Sequence, residues 1–146
     1  MICLAAGSGL APIRALAEDA VNRRCGHAFT VLFWARGRDD VIDAPLFDGW
    51  HERHPALRLE VSLTREAGPG STGPQDALEG RLPRQLPRLW PDLSGHDIFI
   101  AGAPGFVSAC ARTCRELGAT PGHLHTEEFF AEPRPWQSAP PTRTAS

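Results

Sequence analysis

Two short segments place glycine where glycine can do chemistry. Gly7-Ser8-Gly9-Leu10-Ala11-Pro12 follows the apolar run Ile2 to Ala6 and precedes an amphipathic stretch. Ala101-Gly102-Ala103-Pro104-Gly105-Phe106 follows a second apolar run in the same way. A glycine-rich turn between a strand and a helix lets backbone N–H groups and the positive end of the helix dipole meet a phosphate. On that reading Gly9 leaves room for a pyrophosphate, and a branched residue there should block the ligand while sparing the fold. The alternative is a tight turn that uses glycine for steric reasons alone. The dinucleotide fingerprint asks for a third glycine three residues after the second, and this chain has Pro12 there.

Other residues are weighed by type and position. Arg36 and Arg38 follow the apolar run Phe29 to Ala35, where a guanidinium can grip a phosphate or remain solvated charge. His123 and His125 alternate toward one strand face with Glu127 beyond, but no further ligand at metal spacing accompanies them, so no metal site is expected. Cys3, Cys25, Cys110 and Cys114 form no CxxC pair, and Cys110 and Cys114, one helical turn apart, read as core packing. Trp34, Trp50, Trp90 and Trp136 read as core or domain cover, with Trp34 a candidate for adenine stacking. No nucleophile elbow or Ser/His/Asp arrangement appears, and no general acid–base pair.

The elements that must position these residues alternate between strand and helix patterns, as in βαβ units around a parallel sheet. Strands are expected at Ile2 to Ala6, Phe29 to Ala35, Leu57 to Leu63, Asp97 to Ala101 and His123 to Thr126. The third alternates apolar and polar residues, which puts it at or near a sheet edge. Helices are expected from about Pro12 to Arg24, after an Asp43 N-cap through Leu46, Phe47, Trp50 and His54, and over Val107 to Leu117 with Gly118 as terminator. Leu82 to Trp90 is helix-like but broken by Pro83 and Pro87, and Ala67 to Pro74 reads as a mobile loop. The fold class is α/β, a doubly wound five-stranded parallel sheet over residues 1–132, with a disordered Pro/Ser/Thr-rich tail at 133–146.

The net charge of −2 argues against nucleic acid, which calls for a basic stripe, and no apolar run approaches a membrane span. Met1 to Ala6 has no basic flank and is cut short by Gly7, unlike a signal peptide. Reduced thiols in the cytoplasm are therefore expected.

Taken as a set, these segments resemble the ferredoxin–NADP reductase family. Gly7-Ser8-Gly9-Leu10-Ala11-Pro12 is similar to its Gly-Thr-Gly-x-x-Pro turn. Phe33-Trp34-Ala35-Arg36 with Asp39-Asp40-Val41 resembles its Tyr-Gly-x-Arg segment followed by acidic and apolar residues. Ala101-Gly102-Ala103-Pro104-Gly105-Phe106 resembles its Cys-Gly-x-Pro-x-Met turn, and His125-Thr126-Glu127-Glu128-Phe129-Phe130 its ending. The resemblance covers about residues 1–130, and its texture is that of oxygenase reductase components.

The resemblance implies a Rossmann-like domain that binds NAD(P)H at Gly7, Ser8, Gly9, Pro12, Arg36, Ala101, Gly102 and Phe106, with Gly102 and Pro104 at the hydride-transfer end. Ser62-Leu63-Thr64-Arg65-Glu66 resembles a Ser-Arg-Glu segment, which gives Thr64 and Arg65 the 2′-phosphate of NADPH. The resemblance also implies FAD or FMN bound mainly by a separate domain, and an iron–sulfur or haem electron acceptor such as an oxygenase component. Two positions depart from the pattern: Ala101 replaces the usual cysteine and Phe106 the methionine. No Arg-x-Tyr-Ser-type flavin motif occurs, and the first strand begins at once, so the chain is expected to open where the family's second domain opens. The rival expectations are a dinucleotide-binding module without catalysis, a remnant of a split reductase, and an interaction domain that has lost its ligand. Phe129 and Phe130 pack near the flavin–nicotinamide junction or are simply buried.

Overall fold

The computed structural model describes residues 1–24, 26–41, 43–63, 78–79 and 82–130, with 78–79 described by backbone alone. Among the described residues, strands and α-helices follow in the order β1 (Ile2–Ala6), α1 (Leu10–Asn22), β2 (Phe29–Ala35), α2 (Ala44–Arg53), β3 (Leu57–Leu63), β4 (Leu78–Glu79), α3 (Leu82–Leu89), β5 (Ile98–Gly102), α4 (Pro104–Glu116) and β6 (Leu124–Glu128). The strands form one sheet in the order β4-β3-β2-β1-β5-β6, every pair parallel. Five are full strands, as the alternating pattern implies. The two-residue β4 is an addition without periodicity of its own.

Successive side chains of a strand point to opposite faces, and the core divides accordingly. Cys3 and Ala5 of β1 and Phe29, Val31, Phe33 and Ala35 of β2 pack with Leu10, Ile13 and Ala17 of α1 and Phe47 and Trp50 of α2. On the other face Ile2 and Leu4 of β1, Leu32 of β2 and Ile98 and Ile100 of β5 pack with Leu82 and Leu86 of α3 and Val107, Cys110 and Cys114 of α4. Burial on both faces explains why β1 and β2 are apolar almost throughout.

The structure departs from the sequence pattern in several places. Helix α1 begins at Leu10 because Gly7–Gly9 forms a 3₁₀ turn that runs straight into it. Pro12 still falls in the first turn, where its missing N–H has no partner to lose. Asp43 precedes α2 but makes no side-chain cap. Its carboxylate instead meets Arg14 of α1 at 3.4 Å, while its carbonyl accepts the N–H groups of Leu46 and Phe47. Helix α2 ends at Arg53, which leaves His54 as its C-cap.

Helix α3 is not broken by its prolines. Pro83 occupies the first turn, and the apolar pair Leu82 and Leu86, both fully buried, holds the helix through Pro87. Strand β3 keeps the apolar-in, polar-out contrast at Leu57 and Arg58 and loses it at its end, where Ser62 and Leu63 are both buried. Those two residues are the ones that pair with β4. The strand thus lies next to the edge. Strand β5 is displaced by one residue from the expected span, and β6 starts after a 3₁₀ turn over Pro121–His123. Gly118, at φ +93°, ends α4 as expected: its N–H reaches the carbonyl of Arg115 at 3.0 Å, and that of Ala119 reaches Cys114 at 2.9 Å, a Schellman motif. The mobile loop expected at Ala67 to Pro74 and the tail at 133–146 lie outside the described residues.

Candidate functional site

The order of strands reverses at β1: the chain goes from β1 to β2 and β3 on one side, then crosses to β5 and β6 on the other. Such a switch point leaves a crevice at the carboxyl ends of the central strands, because the connections there diverge to opposite faces. A cleft of about 790 Å³ lies in that position. Its wall comes from Ala6, Gly7 and Ser8 after β1, from Phe33, Trp34, Ala35, Arg36 and Asp40 at the end of β2, from Ala103 and Phe106 after β5, and from Phe129 and Phe130 after β6.

Two helices begin at this cleft. Neither α1 nor α4 has a side-chain cap or an acidic residue in its first turn. No side chain competes for the positive dipole ends, although the Leu10 N–H already turns back to the carbonyls of Gly7 and Ser8, and Pro104 has no N–H to give. Gly7, at φ +55°, takes the left-handed conformation that the turn requires, and a Cβ on it would meet nothing within 4 Å. The charged groups named in the wall are Arg36 and Asp40; one Asp40 oxygen accepts the N–H of Gly37 at 3.3 Å.

Of the sequence-derived site residues, Gly7, Ser8, Arg36 and Phe106 line the cleft. Gly9 does not, and its role differs from the expectation. A Cβ there would sit 2.0 Å from the carbonyl oxygen of Ala101 and 2.7 Å from the nitrogen of Gly102, so the bare backbone lets the turn pack on β5. A branched residue at Gly9 strikes the scaffold rather than the ligand.

Gly102 and Ala101 are buried behind the wall. A Cβ on Gly102 would meet the Phe106 ring at 2.9 Å and the Ala6 carbonyl oxygen at 3.2 Å, and the Gly102 carbonyl accepts the N–H of Phe129 at 2.9 Å. Gly102 thus seats two aromatic residues of the cleft. Pro104 is the first residue of α4, and Pro12 lies in the first turn of α1; neither reaches the wall. Thr64 and Arg65 lie outside the described residues.

Sequence reasoning missed Phe33, Ala35 and Ala103 as wall residues. Their signal was position, since each stands at or just past the carboxyl end of a parallel strand. Trp34 does line the cleft, and its ring stacks on Phe106 with centroids 5.6 Å apart and planes 15° apart.

The remaining candidates are placed away from the cleft wall. His123 falls just before β6 rather than within it. His123 belongs to the 3₁₀ turn, with Nδ1 2.5 Å from Asp97 Oδ1, and His125 stacks on Phe99. The hydrogen bond from His123 holds the exposed Asp97 carboxyl below its usual range. Among the described residues no group of three His, Cys, Asp or Glu could hold a metal ion. Cys3, Cys110 and Cys114 are free and buried. Burial pushes the Cys3 thiol up to about 12 and that of Cys114 to about 11, and it raises Cys110 further. Such thiols are packing groups rather than nucleophiles.

The oxidoreductase NAD-binding domain family matches residues 2–112. The chain belongs to that family. Similar proteins include the ferredoxin–NAD(P)(+) reductase component of the naphthalene 1,2-dioxygenase/salicylate 5-hydroxylase systems of Ralstonia sp., 29% identical over 131 residues. Reductase component 1 of terephthalate 1,2-dioxygenase from Comamonas sp. is 26% identical over 133 residues. These matches cover 89% and 91% of this chain but 38% of each relative, so the chain spans little more than a third of their length. Among solved structures, the Amycolatopsis cytochrome P450 reductase GcoB superposes with a TM-score of 0.78 at 25% identity, over 88% of this chain and 37% of that one. No helix among the described residues is long and apolar enough to cross a membrane.

Proposed function

We propose that this NAD-binding domain takes NAD(P)H into the cleft at the switch point and delivers a hydride to FAD or FMN carried mainly by a separate domain. The electrons then pass to an iron–sulfur or haem partner such as an oxygenase component, as the names of the relatives suggest. The observation that carries the reading is the pair of uncapped helix starts at one cleft, in a chain that belongs to an NAD-binding family.

In this reading the backbone of Gly7 and Ser8 holds the pyrophosphate at the positive end of the α1 dipole. Arg36 adds a charged contact from the β2 side. The Gly102–Pro104 turn and the start of α4 set the position of the nicotinamide half. Phe130, 75% exposed beside the cleft, offers a flat apolar face to a flavin domain. The flavin, when bound, supplies the conversion of a two-electron donor into single-electron steps. The chain's own residues contribute binding and orientation, and hydride transfer between two rings needs little else from them. Thr64 and Arg65 are assigned to the 2′-phosphate of NADPH. We place the protein in the cytoplasm, in keeping with its free buried thiols.

Calorimetric titration of the 146-residue chain with NADH and NADPH tests the first half of the reading, with saturable binding expected and no heat of binding refuting it. Mixing the chain with a flavin-binding domain from a related reductase tests the second half. NAD(P)H-dependent bleaching of the flavin supports it, and binding without any turnover leaves a non-catalytic dinucleotide module. Purified alone, the chain should be colourless; a flavin copurifying at near-equal stoichiometry refutes the assignment of flavin to another domain.

A further inference from the structure

The connection from β2 to α2 carries Arg36 and Asp40 into the wall of the cleft that Gly7 and Ser8, leading into α1, also line. Its near end is fixed, because Ala35 is buried and paired in register with Leu63. Local bonds then shape it: the N–H of Asp40 donates to the carbonyl of Gly37 at 3.2 Å, that of Val41 to Arg38 at 3.0 Å, and that of Gly37 to the Asp40 carboxylate at 3.3 Å. These three bonds are internal to the turn. The far end is Asp43, whose Oδ1 lies 3.4 Å from Nη1 of Arg14 on α1. The Asp43 side chain is 21% exposed and that of Arg14 49%, so solvent screens the pair less than it would an open surface pair. Arg14 stands about one turn beyond Leu10, where α1 begins at the Gly7–Gly9 turn. The pair thus joins the helix behind one part of the wall to the end of the segment that forms another. Charge enters as well as reach. The connection carries Asp39, Asp40 and Asp43 beside a cleft assigned to a pyrophosphate, and Arg14 offsets one of the three.

We propose that Arg14 is a positioning residue for the dinucleotide. Through Asp43 it pins the β2–α2 connection to α1, holds Arg36 and Asp40 at their distance from Gly7 and Ser8, and neutralises a carboxylate that would otherwise repel the ligand's phosphates. Neither Arg14 nor Asp43 lines the cleft, so both act through the residues that do. A wall set before the ligand arrives spares the cost of ordering it on binding. The inference rests on the reading that the cleft binds NAD(P)H.

The test is calorimetry with NADH on the 146-residue chain and on Arg14→Gln, Arg14→Lys, Asp43→Asn and the double variant Arg14→Gln/Asp43→Asn, with a thermal melt of each. Arg14→Gln should weaken NADH about two- to fivefold at low salt, the range that a half-exposed pair can supply. The loss should shrink as salt screens the uncompensated Asp43. Arg14→Lys keeps the charge and should bind within about twofold of wild type. Asp43→Asn should lose less than Arg14→Gln, because it leaves no lone carboxylate. The double variant should match Asp43→Asn rather than the sum of the two single losses. Melting temperatures should barely move, and amide exchange at Asp40 and Val41 should quicken in Arg14→Gln while that of β2 does not; a merely structural role would lower stability and speed β2 as well. Wild-type NADH affinity in Arg14→Gln, an equal loss in Arg14→Lys, or additive losses in the double variant each overturn the positioning role while leaving dinucleotide binding intact. If Arg14→Gln does not fold, wild-type affinity in Asp43→Asn overturns it equally. No binding of NADH or NADPH by the wild-type chain overturns the functional reading and the positioning role together.

Discussion

Gly9→Ala separates a scaffold glycine from a ligand glycine. The new Cβ would lie 2.0 Å from the carbonyl oxygen of Ala101, 2.3 Å from its carbon and 2.7 Å from the nitrogen of Gly102. Uncharged heavy atoms are at ease at about 3.5 Å or more, so the turn and the end of β5 must part by about 1.5 Å. All three atoms are backbone in a paired strand, and no rotamer change can absorb the clash. Overpacking that forces the backbone to shift costs typically about 1–3 kcal/mol. Here the upper end of that range applies. Gly9 has φ −62°, an ordinary helical value, so alanine gains roughly 0.5–1 kcal/mol from a less free unfolded chain. The net loss should be about 2–3 kcal/mol, a fall in melting temperature on the order of 10 °C. Gly7→Ala provides the contrast. Its Cβ would meet nothing, but φ is +55°, so it should lose only about 1 kcal/mol. It should weaken dinucleotide binding more than it lowers stability, since its methyl group enters the cleft wall. Thermal and urea denaturation of both variants, with NADH titration of whichever folds, make the comparison. A Gly9→Ala protein that melts within a degree or two of wild type would refute the packing of the turn on β5.

Three other outcomes are expected. Because burial raises the Cys3 thiol from 9.0 to about 12, its contribution to stability is complete below about pH 9 and is lost as pH rises toward 12; urea midpoints across that range should fall, and less steeply in Cys3→Ala. The Asp97 carboxyl is depressed by its hydrogen bond from His123, so its small contribution is present above the ordinary carboxylate range and is lost as pH falls through the lowered value. Acid melts of Asp97→Asn should show a shallower decline below about pH 4 than wild type, and parallel curves would show that the contact contributes nothing. Arg65→Ala should weaken NADPH by about 1–3 kcal/mol in a salt-dependent way and leave NADH nearly unchanged, as isothermal titration would show; equal weakening of both ligands would move Arg65 to the fold or the shared pyrophosphate.

What was legible in the sequence follows from how locally each feature is determined. Strands β1 and β2 could be bounded to the residue because their nearly continuous apolar runs end at Gly7 and at Arg36. The end of α4 was legible because a left-handed C-terminal position selects glycine by itself. Helix α3 was not, because the burial of Leu82 and Leu86 outweighs the loss at Pro87, and burial is tertiary. The partner of Asp43 was not legible either, since an acidic residue before a helix suits a cap and Arg14 is 29 positions away. Strand β4 pairs only two residues, too few for any period to show.

The two glycine-rich turns illustrate the same limit within the site. Sequence spacing located both turns at strand ends and so located the cleft, but it assigned ligand contact to glycines without regard to the face each presents. Gly7 faces open space, whereas Gly9 and Gly102 face backbone and ring atoms. A glycine tolerates close approach from any neighbour, and only the fold decides whether that neighbour is a phosphate or a strand. Around the switch point the answer differs over two residues, because the 3₁₀ turn that aims Gly7 at the cleft rotates Gly9 onto β5. The same close packing brings β5 near enough for Gly102 to seat Phe106 against Trp34, so the scaffold glycines shape the ligand wall without touching it.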